Sequence, residues 1–266
     1  KAEVLYVQNK DNSIFRLKYR YKIGTLNDSK QALATQYIQF LGTDKMSTEQ
    51  ISKAFYKIAC SFNISSGEEY TTVSIEGLQE NFEKAVQLYE EVISNAKADE
   101  NVLKALKARI AKSRKDVKAN KNAILQGLTS YATYGSVNKF NSILTTAELE
   151  SLTTEDLMSR LKNMNNYEQT IIYYGPAPLA TVVKQIKGLH KVPASFTATP
   201  ASKVFKPLVQ TQNQVFFTNY DMVQAETRWV RNTETYDANK NAIITVFNNY
   251  FGDIVFQTIR ESKALA

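Results

Sequence analysis

Among residues able to do metal or nucleophilic chemistry, this 266-residue sequence holds one histidine, His190, and one cysteine, Cys60. A metal centre built on His190 would need two or three carboxylates beside it, because one imidazole supplies one ligand. No Asp or Glu lies within four residues of it in KGLHKVP, so a helix-end or surface histidine is the expectation. Cys60 stands in IACSFNI, where a buried strand thiol is expected rather than a nucleophile. A lone cysteine also excludes an intramolecular disulfide and any multi-cysteine metal site. The patterns GxSxG, GxGxxG and GxxxxGKS/T are missing, which leaves neither a nucleophile elbow nor a phosphate cradle.

The elements that would have to position any such residues are legible in the spacing. KAEVLYVQ begins the chain as a strand, with no signal-peptide apolar region. Phe15, Leu17, Tyr19, Tyr21 and Ile23 alternate with Arg16, Lys18, Arg20 and Lys22, which predicts a strand with one buried face and one cationic face. After the turn GTLND, Ser29 is placed to cap a helix from about Lys30, with Leu33, Ala34, Tyr37, Ile38 and Leu41 on one stripe and Gly42 as its stop. Ser47 and Gln50 form a capping box for a second helix. CSFNIS and EYTTVSIEG then read as a hairpin, residues 78–144 as helical, Thr153 and Asp156 as a further cap, 169–175 as a strand and 178–188 as a helix.

The segment 192–207 holds three of the five prolines and few charges, the composition of an extended linker. Beyond it, VQTQNQVFFTNYD and MVQAETRWVRN suggest strands, and a helix follows from about Asp237. The expected fold class is α+β, a mostly antiparallel sheet packed against helices over residues 1–195, a linker at 196–203 and the truncated beginning of a second similar domain at 204–266. About 60 residues are too few to bury a stable core alone.

Composition narrows the partners. At 43% hydrophobic and 22% charged the chain suits a soluble globular protein, and no apolar run approaches the ~20 residues of a transmembrane helix. The net charge of +7 is spread over strands and helices, densest in KALKARIAKSRKDVKANKN as one solvated helix face, so no nucleic acid is expected as partner. One cysteine suits either side of a bacterial membrane, periplasm or cytoplasm, with the periplasm slightly preferred.

The succession of alternating strand, GTLND turn, helix, FLGT and capped helix resembles the pitrilysin and insulinase family of zinc metallopeptidases, M16. In active halves of that family the helix carries His-x-x-Glu-His shortly before an FLGT-like sequence; counting back from Thr43, those positions are Leu33, Gln36 and Tyr37. The motif is thus degenerate: leucine has no donor atom, glutamine cannot serve as a base, and tyrosine is a poor zinc ligand. The family's third ligand, a glutamate, would fall near Arg114, where Asp116 is the neighbouring acid on a cationic helix face. The resemblance continues in NYFGDIVFQTIRESKALA, where Arg260 matches an arginine that, with a tyrosine, helps active relatives to bind substrate and stabilise the oxyanion. That tyrosine would follow Ala266, and the glycine-rich turn is shortened to FGDI.

The resemblance implies the inactive C-terminal half of such an enzyme, the non-catalytic wall of a substrate chamber that assists peptide binding and proteolysis. It implies no catalytic residue and no metal in this fragment, zinc in a partner catalytic half in the same chain or a separate subunit, and an unfolded peptide as substrate. Arg16, Lys18, Arg20 and Lys22 would either line that wall and favour acidic peptides or form a plain solvent face. The other implied function is a structural or peptide-binding subunit of a larger complex without peptidase activity.

Overall fold

The computed structural model describes residues 2–223, 225–232 and 236–264. Five strands form one sheet: β1 (Glu3–Gln8), β2 (Ile14–Tyr21), β3 (Cys60–Ser66), β4 (Thr71–Leu78) and β5 (Gln169–Gly175). Their order is β1-β5-β2-β4-β3. β2 lies antiparallel between β5 and β4, β3 antiparallel to β4, and β1 runs parallel to β5, so the sheet is mixed and mostly antiparallel.

The alternation in β2 has its physical consequence here. Phe15, Leu17, Tyr19 and Tyr21 are fully buried, whereas Arg16, Lys18 and Arg20 are exposed. Each buried side chain contributes about 1.5–3 kcal/mol relative to leaving it in water, so slipping β2 by one residue would turn four core residues outward. The register carries the same face across the sheet: Tyr19 lies opposite Val73 and Ile171, and Leu17 opposite Ile75 and Tyr173, all buried.

Helices cover that face alone. α1 (Gln31–Ile38) and α2 (Thr48–Lys57) follow β2, and α3 (Phe82–Asn95) follows the β3-β4 hairpin. α4 (Glu100–Ala119), α5 (Lys121–Tyr134) and the short α6 (Thr146–Glu150) precede α7 (Thr154–Asn163), β5 and α8 (Leu179–Leu189). The stretch expected to be helical over 78–144 is therefore three helices followed by an irregular segment. Asn120, extended at φ −93° and ψ 116°, breaks α4 from α5 and caps α5 through a bond from Ala123 N at 3.0 Å.

Local signals decide where the helices begin. Ser47 with Gln50 and Thr153 with Asp156 form complete capping boxes. Ser29 does not cap α1; Asp28 Oδ1 accepts from Lys30 N at 2.9 Å, and the helix starts at Gln31 with Lys30 already in helical backbone. Gly42 lies beyond the end of α1, where a Cβ would stand 2.7 Å from the carbonyl oxygen of Met46. Only glycine lets the chain fold back so that Thr43 N can donate to Met46 O at 2.8 Å.

The segment after α8 departs most from expectation. Among the described residues, 209–221 and 222–232 form no strand; Gln224 lies outside the described residues, as do Thr233, Glu234, Thr235, Leu265 and Ala266. A strand needs a neighbour to take its backbone groups, and here the contacts with α5 are made by Leu208 N and by side chains instead. Leu208 N donates to Thr133 O at 2.8 Å, Gln210 Nε2 to Ala132 O at 3.0 Å, and Tyr131 meets Phe216 edge-on at 5.5 Å. α9 (Asn241–Val255) then forms and continues as a π-helical turn over Phe256–Glu261, with no buried residue in either.

Asp156 links the cap of α7 to the start of α1. Burial raises its carboxyl pKa, but the Lys30 ammonium at 3.1 Å and the Thr153 N–H outweigh this and hold it below its ordinary value. A depressed carboxyl contributes stability above its unfolded pKa and loses it as pH falls through the folded one. Thermal melting should therefore decline from roughly pH 5 to pH 2, and the Asp156→Asn protein should show a shallower acid-side decline; an identical acid limb in the two proteins would contradict this role.

Candidate functional site

The three positions that stand in place of a zinc motif occupy α1, but they do not converge. Leu33 is half-buried against the core, Gln36 is exposed, and Tyr37 is fully buried. The Tyr37 hydroxyl donates to Asp99 O at 2.9 Å and accepts from Asp99 N at 2.7 Å. It thus fastens α1 to the residue that caps α4, whose own carboxylate accepts from Asn101 N and Val102 N. Burial raises the phenol pKa, so the group is a neutral hydrogen-bonding strut and not an anionic ligand.

The α4 residue that reaches this helix is Arg109, which is not where the spacing places the third ligand. Its Nη2 donates to Gln36 Oε1 at 3.4 Å, and its guanidinium lies 5.1 Å from the centre of the Phe40 ring. Arg114 is turned away and donates to Leu144 O at 2.6 Å, fastening α4 to the loop before α6. A leucine, an amide, a neutral phenol and a guanidinium do not fit zinc: none offers the imidazole or carboxylate donors that the ion takes. Among the described residues, no group of three His, Cys, Asp or Glu side chains is placed to hold a metal ion.

His190 does not behave as a surface residue. It ends α8 as expected, but its side chain is sealed from solvent, with Nδ1 2.7 Å from Glu90 Oε1 and Nε2 2.9 Å from Gln169 Oε1. Its ring stacks on Tyr19 at 4.2 Å. The partners lie 100 and 21 residues away, so no local pattern could have announced them. Cys60 is a buried strand thiol whose pKa is pushed up by burial, which leaves little thiolate to react.

The exposed face of β2 is less cationic than its sequence. Arg16 pairs with Glu76 at 3.0 Å, Lys22 with Glu168 at 3.0 Å, and Arg20 lies over the Tyr70 ring at 3.6 Å. Among the described residues, Lys18 alone of the four has no ion pair or ring partner; it lies opposite Ser74 and Ile172. Arg260 is exposed, with its guanidinium 5.3 Å from the centre of the Phe256 ring, and no hydrogen bond brings it to Leu33, Gln36 or Tyr37. No described helix is long and apolar enough to cross a membrane.

A one-sided, mostly antiparallel sheet under helices defines an α+β domain. The family profile described as Insulinase (Peptidase family M16) matches residues 22–147, a little under half of the chain, and supports membership of that family. Solved structures agree on the fold. The ferredoxin protease FusC, a mutant in complex with Arabidopsis ferredoxin, superposes with a TM-score of 0.64 at 16% identity, covering 77% of this chain and 23% of its own. The periplasmic protease PqqL from Escherichia coli gives 0.64 at 15%, covering 78% and 24%. A peptidase M16 inactive domain from Pseudomonas fluorescens gives 0.63 at 15%, covering 78% and 52%. This chain therefore spans between about a quarter and a half of the length of these proteins. A search of curated protein sequences finds no match.

Tyr37→Phe should lower unfolding free energy by about 1 kcal/mol, the net worth of a hydrogen-bonded hydroxyl, whereas Gln36→Ala should stay within about 0.5 kcal/mol as an exposed substitution does. Urea denaturation of the two variants checks this, and equal effects would remove Tyr37 from its role as a strut.

Proposed function

We propose that this chain is the non-catalytic half of an M16-type zinc metalloendopeptidase, forming part of the wall of its substrate chamber and assisting peptide binding. The observation that carries this reading is α1 itself: a fully formed, packed helix at the place of the zinc motif, in which Leu33, Gln36 and Tyr37 provide no zinc donor set and Tyr37 serves packing. The likeness to a protein described as an M16 inactive domain supports it, as do the greater lengths of the similar solved chains. On this reading residues 1–195 are one family domain, 196–203 a linker and 204–266 the start of another. Zinc then belongs to a partner half, and the substrate is an unfolded peptide. The likeness to a periplasmic protease supports a periplasmic setting.

Arg260 is proposed to contact substrate in the closed enzyme. Its exposure leaves it available to a partner surface, and its guanidinium can bind a peptide carbonyl or carboxylate. Lys18, the one unpaired cation of the β2 face, gives the wall a mild preference for acidic peptides.

The test is reconstitution. Peptide cleavage by a zinc-loaded catalytic half should rise at least tenfold when this chain is present, and Arg260→Ala in the complete enzyme should raise KM or lower kcat. Equal cleavage with and without the chain would sink the proposal and favour a structural subunit without a role in proteolysis; unchanged turnover of the Arg260→Ala enzyme would remove that residue from the site.

A further inference from the structure

A polar cavity of about 200 Å³ lies beside α1 and α7, walled by Asp28, Gln31, Ser159, Arg160, Asn163 and Tyr167 with Ile23 at its edge. Its charges cancel. Arg160 Nε donates to Asp28 Oδ2 at 2.7 Å, and Nη1 donates to the Asp156 carbonyl at 2.6 Å. The Ser159 hydroxyl is occupied as well, donating to Asp156 O at 3.2 Å.

Gln31 is the exception in this wall. Only 2% of it is exposed, yet among the described residues its Nε2 has no hydrogen-bond partner. Asn163, at the exposed edge of the cavity, accepts from Asn166 Nδ2 at 3.3 Å through Oδ1. Buried polar groups are almost always hydrogen-bonded, so an unmet amide in a cavity wall marks a missing partner. The rim is fixed by the segment after α8: Thr197 N donates to Asn166 O at 2.7 Å and bridges to Tyr167, Thr199 Oγ1 donates to Lys22 O at 2.8 Å, and Asn27 Nδ2 donates to Pro200 O at 2.8 Å.

We infer that this cavity is a binding site for a primary carboxamide, the group carried by glutamine and asparagine. A primary amide is neutral and presents a donor and an acceptor in one plane, so its carbonyl can accept from the unmet Gln31 Nε2 while its N–H groups meet acceptors of the wall. A carboxylate would face Asp28 where Arg160 is already engaged, an ammonium would face Arg160, and an apolar group would leave Gln31 unmet. The neutral lining thus selects a neutral, hydrogen-bonding ligand. The site is separate from the proposed chamber role and stands whether or not that role holds.

The side-chain amide resonances of the ¹⁵N-labelled full chain provide the test, with the Gln31 pair assigned by its loss in Gln31→Leu. Acetamide should shift that pair saturably, together with the Asn163 amide, and sodium acetate at equal concentration should not. L-Glutamine and the peptide Ac-Ala-Gln-Ala-NH2 distinguish the source: tighter binding than acetamide by the free amino acid or by the peptide names the natural form. Gln31→Leu removes an unmet polar group at similar size, so it should melt no lower than the parent and lose the acetamide response at Asn163. Asn163→Ala should weaken acetamide at least threefold, and this holds the test open if Gln31→Leu folds poorly. No saturable shift, an equal response to acetate, or shifts confined to exposed glutamines would overturn the site and leave a cavity that holds water only.

Discussion

A sheet that buries one face must commit every strand to one register, and in this protein the commitment is made by β2. Phe15, Leu17, Tyr19 and Tyr21 all point under the helices, and β2 is the strand that touches both halves of the sheet, β5 on one side and β4 on the other. Tyr19 also forms the platform on which His190 stacks, so the strand that sets the register also fixes the end of α8. The helix that follows β2 inherits its position from this face: β2 and its turn place α1, which on the proposed reading corresponds to the zinc helix of an active relative.

What α1 does with that position is a matter of side-chain chemistry. Tyr37 gives its hydroxyl to both backbone groups of Asp99, and Gln36 receives the Arg109 guanidinium. On the proposed reading, contacts between α1 and α4 stand where an active relative would make contacts to a metal. A packed neutral phenol and a guanidinium hold two helices together without requiring an ion, so the domain can be stable on its own core. Conversion to a zinc site would demand more than restoring the motif, because Tyr37 is buried in the fold and Arg109 places positive charge where a dication would need compensation.

Much of this was legible in the sequence because it is local. The β2 alternation, the capping boxes at Ser47 and Thr153 and the buried setting of Cys60 each rest on a few neighbouring residues. Contacts between distant segments were not legible: Arg109 rather than Arg114 meets α1, and His190 is buried by Glu90 and Gln169, neither of which lies near it in sequence. The Ser29 cap failed because Asp28, one residue earlier, takes the first N–H groups instead: its carboxylate accepts from Lys30 N and its carbonyl from Gln31 N. The strands expected after residue 208 failed for a different reason. Strand formation depends on a neighbouring edge, and this segment makes its contacts with α5 instead.

The central claim is that the helix occupying the zinc position holds structure and no metal. Isothermal titration of the metal-free chain with zinc at neutral pH tests it most directly. No stoichiometric heat is expected, and the Tyr37→Phe protein should give the same trace. One equivalent of zinc bound at submicromolar affinity, and lost on replacing Gln36 or Tyr37, would contradict it.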